Sequence, residues 1–267
     1  MKTLNIILKS TIAVFLILTF INTQAQEYKT IRVNGTILLE KSNTPLQSGT
    51  EFEEDDNLIF KSYNSLATAI NAQKGRFIIK PDNTDLAYAK ASYTPAMSNI
   101  SSRSGSFITA LDLKNHLDGK YVFYEEMFLQ INAEIFPMSE NKYFFLRYMY
   151  EGDTINKKLA FSKDTLFIVT SQVFSIDNKP VDYSKVNNIE LWYMQRDLGN
   201  KITLISSFEP VIINNEALKS ELAIIFEAYA DKSEEEKISE AISYIHEFYG
   251  TSNQENFRSW LHENMEK

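Results

Sequence analysis

The stretch Tyr143–Lys158 reads YFFLRYMYEGDTINKK, which is the sequence of a strand, a turn and a return strand in succession. Bulky aromatic residues crowd Tyr143–Tyr150, and such residues favour strands. Glu151-Gly152-Asp153 supplies the Gly and Asp that turns commonly use. Lys157 and Lys158 follow on the return strand, where exposed charges protect a sheet edge from further pairing. The stretch therefore predicts antiparallel β-structure.

Further short strands are predicted on both sides of that stretch. Their apolar runs alternate with turn residues and no long helix separates them, so antiparallel pairing is favoured over parallel pairing. We predict one antiparallel β-domain over residues 108–213, with a short helix near its start at Thr109–Leu117. The other strands of this domain are predicted at residues 121–123, 166–170, 173–176, 189–193 and 202–208.

After Pro210 the apolar residues recur with a helical period. The boxes Ser233-x-x-Glu236 and Ser252-x-x-Glu255 are typical of helix N-termini, so residues 214–267 are predicted to form a helical C-terminal segment. Short helices are marginal alone in water, so these must dock, either on the central β-domain or on a partner. We expect internal docking, because residues 210–213 leave no flexible linker before the first helix.

Residues 26–95 contain short apolar runs at close spacing, which indicate a small β-barrel or a β-sandwich. Asn34-Gly35 divides the alternating run Thr30–Glu40 and has two interpretations. An Asn-Gly pair between apolar runs signals a hairpin, whereas a single strand could carry a glycine bulge at this point. Serine and asparagine accumulate after this region, so residues 96–107 are predicted to be a linker. The whole chain is thus expected to be α+β and mostly β.

Short motifs within residues 30–81 resemble a known domain. They are Val33-x-Gly35, Pro45-Leu46-x-x-Gly49, Asp56-x-Leu58-x-Phe60 and Gly75-Arg76-Phe77. This succession resembles the small β-domain of FecR-like envelope proteins and, more closely, exported uncharacterised proteins of Gram-negative bacteria. The resemblance implies a place in the cell envelope. Gly49-Thr50 stands where the usual Gly-Asp pair would be, and no signalling transmembrane segment is recognisable, so the resemblance does not extend to a regulatory role.

Residues 1–25 have the three regions of a secretory signal peptide in order. Lys2 and Lys9 flank the start of the apolar run Ile12–Ile21, and Thr23-Gln24-Ala25 supplies small residues for a cut before Gln26. The run is shorter than the roughly 20 apolar residues that a spanning helix needs, and the alternatives are a buried N-terminal helix and an uncleaved membrane anchor. We expect an exported protein, periplasmic or extracellular, with no stable membrane span after cleavage.

The composition excludes several classes of function. The chain has 27 Lys and Arg against 35 Asp and Glu, a formal net charge of −8. This balance argues against nucleic acid or an anionic lipid surface as a partner, because both require clustered basic residues. The chain has 0 Cys, so disulfides, thiol catalysis and thiolate metal sites are excluded. Its stability must therefore come from a hydrophobic core.

No catalytic or metal-binding motif is recognisable in the sequence. The histidines His116, His246 and His262 lack the His-Glu-x-x-His spacing of a zinc site, and we expect neither a metal nor a cofactor. The acidic run Glu53–Asp56 lacks the order of ligands in a calcium loop, so a solvated turn is expected there. Carboxylate pairs such as Glu125-Glu126 could be imagined as the acids of a glycosidase, but they identify no catalytic residue.

The aromatic strand is the strongest candidate for a binding surface. Tyr143, Arg147, Tyr148 and Tyr150 could form a platform for a glycan or a peptide, because Tyr and Arg are favoured at binding surfaces. The alternative is that both faces are buried, one against another sheet and one under the helical tail. We expect a non-enzymatic exported envelope protein that binds another protein or a surface polymer such as a glycan. A hydrolase with a site assembled from dispersed carboxylates is the second hypothesis.

Overall fold

The computed structural model describes residues 27–82, 91–96 and 109–265. These residues form an α+β protein in which strands predominate, as the sequence predicted. The chain divides into two compact units, unit 1 with residues 1–96 and unit 2 with residues 97–267. The predicted signal peptide, residues 1–25, and the predicted linker, except for Ala96, lie outside the described residues.

Unit 1 is built from short strands. They are β1 Glu27–Asn34, β2 Ile37–Leu39, β3 Thr44–Pro45, β4 Glu51–Glu53, β5 Leu58–Phe60, β6 Leu66–Asn71, β7 Gly75–Pro81 and β8 Ala91–Pro95. Hydrogen bonds join them into a five-stranded sheet of order β4-β1-β6-β7-β8 and a three-stranded sheet of order β3-β2-β5. Neighbouring strands in both sheets are antiparallel.

One hydrophobic core joins the two sheets of unit 1. Tyr28, Phe52 and Ile79 reach it from the five-stranded sheet, while Ile37 and Phe60 reach it from the three-stranded sheet. Every one of these side chains is almost completely buried. The described strands thus form two open sheets around a shared core, which is the arrangement of a sandwich rather than of a closed barrel.

Gly35 forms the corner between β1 and β2, which belong to different sheets. The hairpin considered at Asn34-Gly35 is therefore wrong, and so is the alternative of a single bulged strand. The backbone of Gly35 has φ +80°, where an L side chain is strained, and a Cβ atom there would lie 2.6 Å from Ser65 Oγ. Glycine at this position lets the chain leave one sheet for the other.

Unit 2 begins in the described part with the helix α1, Ala110–His116, whose N-terminus has a reciprocal capping box of Thr109 and Asp112. A second, single-turn helix, α2, spans Thr170–Val173. The strands are β9 Gly119–Phe123, β10 Glu126–Gln130, β11 Lys142–Tyr150, β12 Asp153–Lys158, β13 Ala160–Ser162, β14 Thr165–Val169, β15 Ser175–Ile176, β16 Lys179–Pro180, β17 Ile189–Gln195 and β18 Lys201–Ile212.

The strands of unit 2 form two sheets and a ribbon. The large sheet has the order β12-β11-β17-β18-β9, the small sheet has the order β10-β14-β13, and β15 pairs with β16 in the ribbon. Antiparallel pairing was predicted throughout, and this prediction is wrong for one pair of strands in the large sheet. There β18 runs parallel to β9, from Phe208 opposite Gly119 to Ile212 opposite Phe123. A parallel pair needs a long connection between its strands, and here most of the domain provides it.

The helix α2 replaces part of a predicted strand. Residues 173–176 were expected to be extended, and the β-branched Thr170 and Val173 favour that conformation. The Thr170 hydroxyl, however, donates a hydrogen bond to the carbonyl oxygen of Tyr124. The chain makes one helical turn there and enters the ribbon at Ser175, so local propensity is overridden by a contact with the distant connection between β9 and β10.

A helical segment completes the described part of unit 2. It consists of α3 Asn215–Ala228, α4 Glu234–Phe248 and α5 Gln254–Met265. The capping box of Ser233 and Glu236 at the start of α4 is confirmed. The box predicted at Ser252 is wrong, because the Asn253 side chain accepts the hydrogen bond of the Asn256 backbone N–H at 3.0 Å.

The helical segment docks on the strands of unit 2. The Asn256 side chain donates to the carbonyl oxygen of Phe128 and accepts from its N–H, both at 2.9 Å. The rings of Phe257 and Trp260 lie beside Tyr124, with centroids 6.4 and 6.2 Å away. The predicted internal docking of the tail is therefore confirmed. Because β10 is an edge strand, Asn256 also covers backbone groups that would otherwise be open to pairing.

Candidate functional site

The predicted binding strand, β11, lies inside the large sheet, between β12 and β17. Side chains alternate across a strand, so its residues divide between two faces. One face carries Phe144, Leu146 and Tyr148, which are at most 2% exposed and belong to the core. The other, outer face of β11 carries Tyr143, Phe145, Arg147 and Met149. The pairing register places Phe145 between Lys158 of β12 and Trp192 of β17.

Aromatic rings form a row on this outer face. Phe145 and Trp192 stack with centroids 6.4 Å apart and 11° between their planes, and the Tyr143 ring follows at 6.5 Å from Phe145. The Arg147 guanidinium lies over this row, 4.8 Å from the Trp192 centroid and 5.4 Å from that of Phe145. These distances are within the range of cation–π interactions.

The other end of the row is covered in the same way. Lys158 Nζ lies 4.4 Å from the centroid of the Tyr143 ring, and the Arg196 guanidinium lies 5.2 Å from it. Their aliphatic stems can cover apolar rings while the charged groups stay in water. We call the surface made by these rings and cations the cationic face; it consists of Tyr143, Phe145, Arg147, Lys158, Trp192 and Arg196.

The pairing register places a carboxylate residue, Glu190, directly opposite Arg147 of the cationic face. In the ranges that the structure describes, Arg147, Lys158 and Arg196 form no ion pair with a carboxylate. Nearby Lys142 differs, because its Nζ lies 3.2 Å from Asp197 Oδ2. Three adjacent cations on an acidic protein thus remain available to an external anion.

Large apolar side chains remain exposed beside the cations. Met149 of β11 is 55% exposed, and Ile202 and Leu204 of β18 are 42% and 46% exposed. The register aligns Ile202 with Met194, and Leu204 with Trp192, so these two side chains extend the aromatic row across the sheet. Tyr143 and Phe145 are 7% and 5% exposed, which agrees with the alternative that this face is buried. The predicted cover is wrong, however, because cationic side chains rather than the helical tail lie over these rings and the flank of the face is open to solvent.

The four residues predicted as a platform do not share one surface. Tyr143 and Arg147 lie on the outer face, where Tyr143 is only 7% exposed beneath its cations. Its ring therefore offers little area for stacking against a ligand. Arg147 is half-buried and is the predicted residue best placed for contact.

Tyr148 and Tyr150 lie on the opposite side of the strand from Arg147. The Tyr148 hydroxyl donates to the carbonyl oxygen of Val173 at 2.7 Å, and burial raises the pKa of Tyr148 to about 12. The hydroxyl of the half-buried Tyr150 accepts from the Asp182 N–H at 3.3 Å. Both residues are therefore engaged in holding unit 2 together.

A polar groove of about 340 Å³ adjoins the cationic face at Arg147. Arg147 Nε donates to Asn156 Oδ1 at 2.8 Å, which fixes the guanidinium against the sheet. Glu190, whose carboxylate also lines the groove, accepts from Trp192 Nε1 at 2.8 Å. The groove is lined by Arg147, Tyr148, Met149, Thr154, Lys185, Asn187, Asn188 and Glu190. Lys185 is already paired, with its Nζ 2.9 Å from Glu151 Oε1. The groove therefore offers Arg147, two amides and a hydroxyl to an anionic or hydroxylated ligand.

Sequence reasoning missed Trp192, Arg196, Ile202 and Leu204 as parts of this surface. Each lies in or next to a strand that was predicted, and alternation within those strands was visible. The missing information was the register between the strands, because only register brings Trp192 beside Phe145. Lys158 was noticed for its charge at a sheet edge, but its position over Tyr143 depends on the same register.

The hydrolase hypothesis finds no assembled pair of acids among the described residues of the groove, of which Glu190 alone has a carboxylate. Elsewhere, hydrogen bonds from neighbouring side chains hold the pKa of Asp164, Asp182 and Glu235 below the ordinary range. Such carboxylates are stabilised as anions and are poor general acids. Among the described residues, no group of three or more His, Asp or Glu is arranged to hold a metal ion.

None of the described helices is long and apolar enough to cross a membrane. No protein-family model matches the chain, and neither a curated protein nor a solved structure matches it. The resemblance of residues 30–81 to FecR-like envelope proteins therefore stays a prediction, and any assignment of function depends on the geometry of the cationic face.

Proposed function

We propose that this chain is an exported cell-envelope protein that binds a negatively charged ligand, another protein or a surface polymer, through its cationic face. The observation that carries the proposal is the set of three cations, Arg147, Lys158 and Arg196, held over aromatic rings without a carboxylate partner in the described residues. Export is proposed from the signal-peptide pattern of residues 1–25.

The net charge of the chain, −8, does not prevent an anion from binding there. At physiological ionic strength the Debye length is about 8 Å, so a ligand at the surface responds to the charges within that distance. The cationic face presents Arg147, Lys158 and Arg196 over a short span of one sheet. Three cations this close together can attract an anion in spite of the net negative charge of the chain, and this attraction should weaken as salt is added.

The composition of the face also supports specific binding. Arg and Trp are enriched among the residues that dominate interface energies, and here Arg147 lies against Trp192. The exposed Ile202 and Leu204 offer apolar area next to the charges. Burial of apolar surface contributes about 25 cal/mol per Å², so a ligand with both apolar and acidic groups would gain from both features.

The experiment is an affinity capture from envelope extract with purified protein as bait. The variant Lys158→Glu/Arg196→Glu reverses two exposed charges of the face, and Lys232→Glu reverses an exposed charge between α3 and α4. We expect the double variant to lose the captured ligand and Lys232→Glu to retain it. Treating the extract with protease before capture distinguishes the sources, because a protein ligand disappears and a polymer remains.

The proposal fails if the double variant captures the same ligand in the same amount as the unmodified protein. It also fails if capture is insensitive to salt between 50 and 500 mM, roughly a threefold change in Debye length. Circular dichroism of both variants serves as the folding control.

A further inference from the structure

A second cavity, of about 480 Å³, lies in unit 2 away from the cationic face. It is bounded by the end of β9, by α2, by the ribbon of β15 and β16, and by the residues that precede α3. Small-molecule sites in proteins commonly have volumes of about 300–1,000 Å³. The cavity therefore has the size for a small organic ligand rather than for a single ion.

The interior of this cavity is aromatic and aliphatic. Phe123 and Phe174 lie in it with ring centroids 5.7 Å apart in an edge-to-face arrangement, and Val181 and Ile213 are buried beside them. At the mouth, the Tyr183 ring lies 6.4 Å from that of Phe174. Tyr183 is 52% exposed, so this wall of the cavity is a large aromatic surface in contact with solvent.

The polar groups of the cavity lie around this apolar interior. Of the described residues that line it, Glu125 alone is charged, and its side chain is exposed. Ser175, Asn178 and Asn215 contribute neutral donors and acceptors. Asn215 is fixed in place because its Oδ1 accepts from Trp260 Nε1 at 2.9 Å. The lining thus combines aromatic rings, neutral polar groups and one negative charge.

We propose that this cavity binds a small amphipathic amine, with a ring or other apolar body inside and a positively charged head group at Glu125. A protonated amine is attracted both to a carboxylate and to the faces of aromatic rings. A carboxylic acid of the same size would instead meet Glu125 as a like charge, and the described lining residues include no cation that would compensate for it. The charge preference is therefore opposite to that of the cationic face, so the two sites are tested independently.

The side chain of Glu125 can be replaced without removing the backbone hydrogen bond of this residue. The carbonyl oxygen of Glu125 accepts from the Thr170 N–H at 2.9 Å, and this backbone hydrogen bond is unaffected by a change of side chain. Glu125→Gln removes the charge and keeps the shape. Glu126→Gln is the matched control, because the adjacent Glu126 is also exposed but does not line the cavity.

The experiment uses two probes with the same ring and opposite charge, tryptamine and indole-3-propionate, in calorimetric titrations of the full chain. We expect tryptamine to bind at least about tenfold more tightly than indole-3-propionate, which corresponds to about 1.4 kcal/mol. Glu125→Gln should remove most of that difference, and Glu126→Gln should preserve it. Tyr183→Ala should weaken tryptamine binding, while Leu198→Ala, which shortens an equally exposed side chain elsewhere in unit 2, should not.

Equal binding of the two probes, or a charge preference that survives Glu125→Gln, would overturn the proposal. So would the absence of tryptamine binding to the unmodified protein at millimolar concentration. Loss of binding in Glu125→Gln and Glu126→Gln alike would assign the effect to the general charge of this region and would overturn it as well.

Discussion

Asn256 takes the place of a neighbouring strand beside β10. Its amide group makes both hydrogen bonds that a paired residue would make to Phe128, and it is 1% exposed. Asn256→Ala leaves one donor and one acceptor of β10 without partners. Because a buried unsatisfied group costs about 1–3 kcal/mol, we expect unit 2 to lose roughly 2–4 kcal/mol of its free energy of unfolding.

This loss is measurable by urea denaturation followed by tryptophan emission. The chain has 2 Trp, Trp192 and Trp260, and both belong to unit 2, so the emission reports on that unit. Asn264→Ala is the control, because Asn264 donates only to the helix carbonyl of Trp260, at 2.9 Å. If the two variants were equally stable, the contact of Asn256 with β10 would contribute nothing to stability.

The half-buried imidazole of His116 should make the stability of unit 2 depend on pH. Its Nε2 lies 3.0 Å from the Tyr121 hydroxyl, and burial lowers the pKa of His116 to about 4. In the unfolded chain a histidine has a pKa of about 6.5. Between these values the unfolded chain binds a proton that the folded chain does not, so stability falls as the pH is lowered from about 6.5 to about 4.

We expect this loss to be roughly 2 kcal/mol, a value reduced for the partial exposure of the ring. Urea denaturation at pH 7 and at pH 4.5 measures it. His116→Gln should remove this part of the pH dependence. Tyr121→Phe should retain it, because burial rather than the hydroxyl lowers the pKa. A His116→Gln variant with the same pH dependence as the unmodified protein would contradict the assignment.

At the residue scale, part of the candidate site was predictable and part was not. Alternation along β11, which the sequence displays, already separates Tyr143 and Arg147 from Tyr148 and Tyr150. Arg147 was identified because Arg among aromatic residues is typical of binding surfaces. Lys158 reaches Tyr143 from β12, and Arg196 reaches it from the turn after β17. A local pattern does not contain the register that brings them there.

Among the elements, the corner between β1 and β2 depends on one glycine. Gly35→Ala combines a strained positive φ with a Cβ that would lie 2.6 Å from Ser65 Oγ. Gly49→Ala is the matched control, since its φ is +83° but nothing lies within 4 Å of its Cβ. We expect Gly35→Ala to destabilise unit 1 by about 1–3 kcal/mol more than Gly49→Ala does.

Hydrogen exchange measured by mass spectrometry on peptides from β1 and β6 tests this difference. Unit 1 has no tryptophan, so a method that reports on backbone amides of that unit is required. Faster exchange in Gly35→Ala than in Gly49→Ala is the expected result. Equal rates would mean that Ser65 moves aside without cost and that the corner is not tightly packed.

Elements with a strong local pattern were predicted and those fixed by distant contacts were not. The helices α3 to α5 have a clear apolar period, and β11 is dense in aromatic residues. In contrast, β10 begins with Glu126 and ends with Gln130, and its polar ends concealed a strand with buried Met127 and Leu129. The parallel pairing of β18 with β9 had no local signal, because it joins residues far apart in the sequence.

For the whole molecule, the predicted export would most constrain where a ligand can be met. The pattern in residues 1–25 predicts cleavage before Gln26. We expect the intact mass of the protein recovered from the periplasm or the medium to correspond to a chain that begins at Gln26. A mass that includes Met1–Ala25 would contradict cleavage and would favour the membrane-anchor alternative.

The position of β9 in the chain implies that this strand pairs late in the folding of unit 2. One edge of this strand pairs with β18, and on the other edge the Val122 N–H donates to the Thr251 carbonyl oxygen at 2.9 Å. Both partners are synthesised long after β9 itself, and pairings between distant residues form slowly. The apolar residues Tyr121–Phe123 must therefore stay exposed until nearly all of unit 2 has emerged, which is when such chains are most prone to aggregate. Pulse-labelling hydrogen exchange should find the β9 amides protected after those of β11 and β17, and earlier protection would contradict this order.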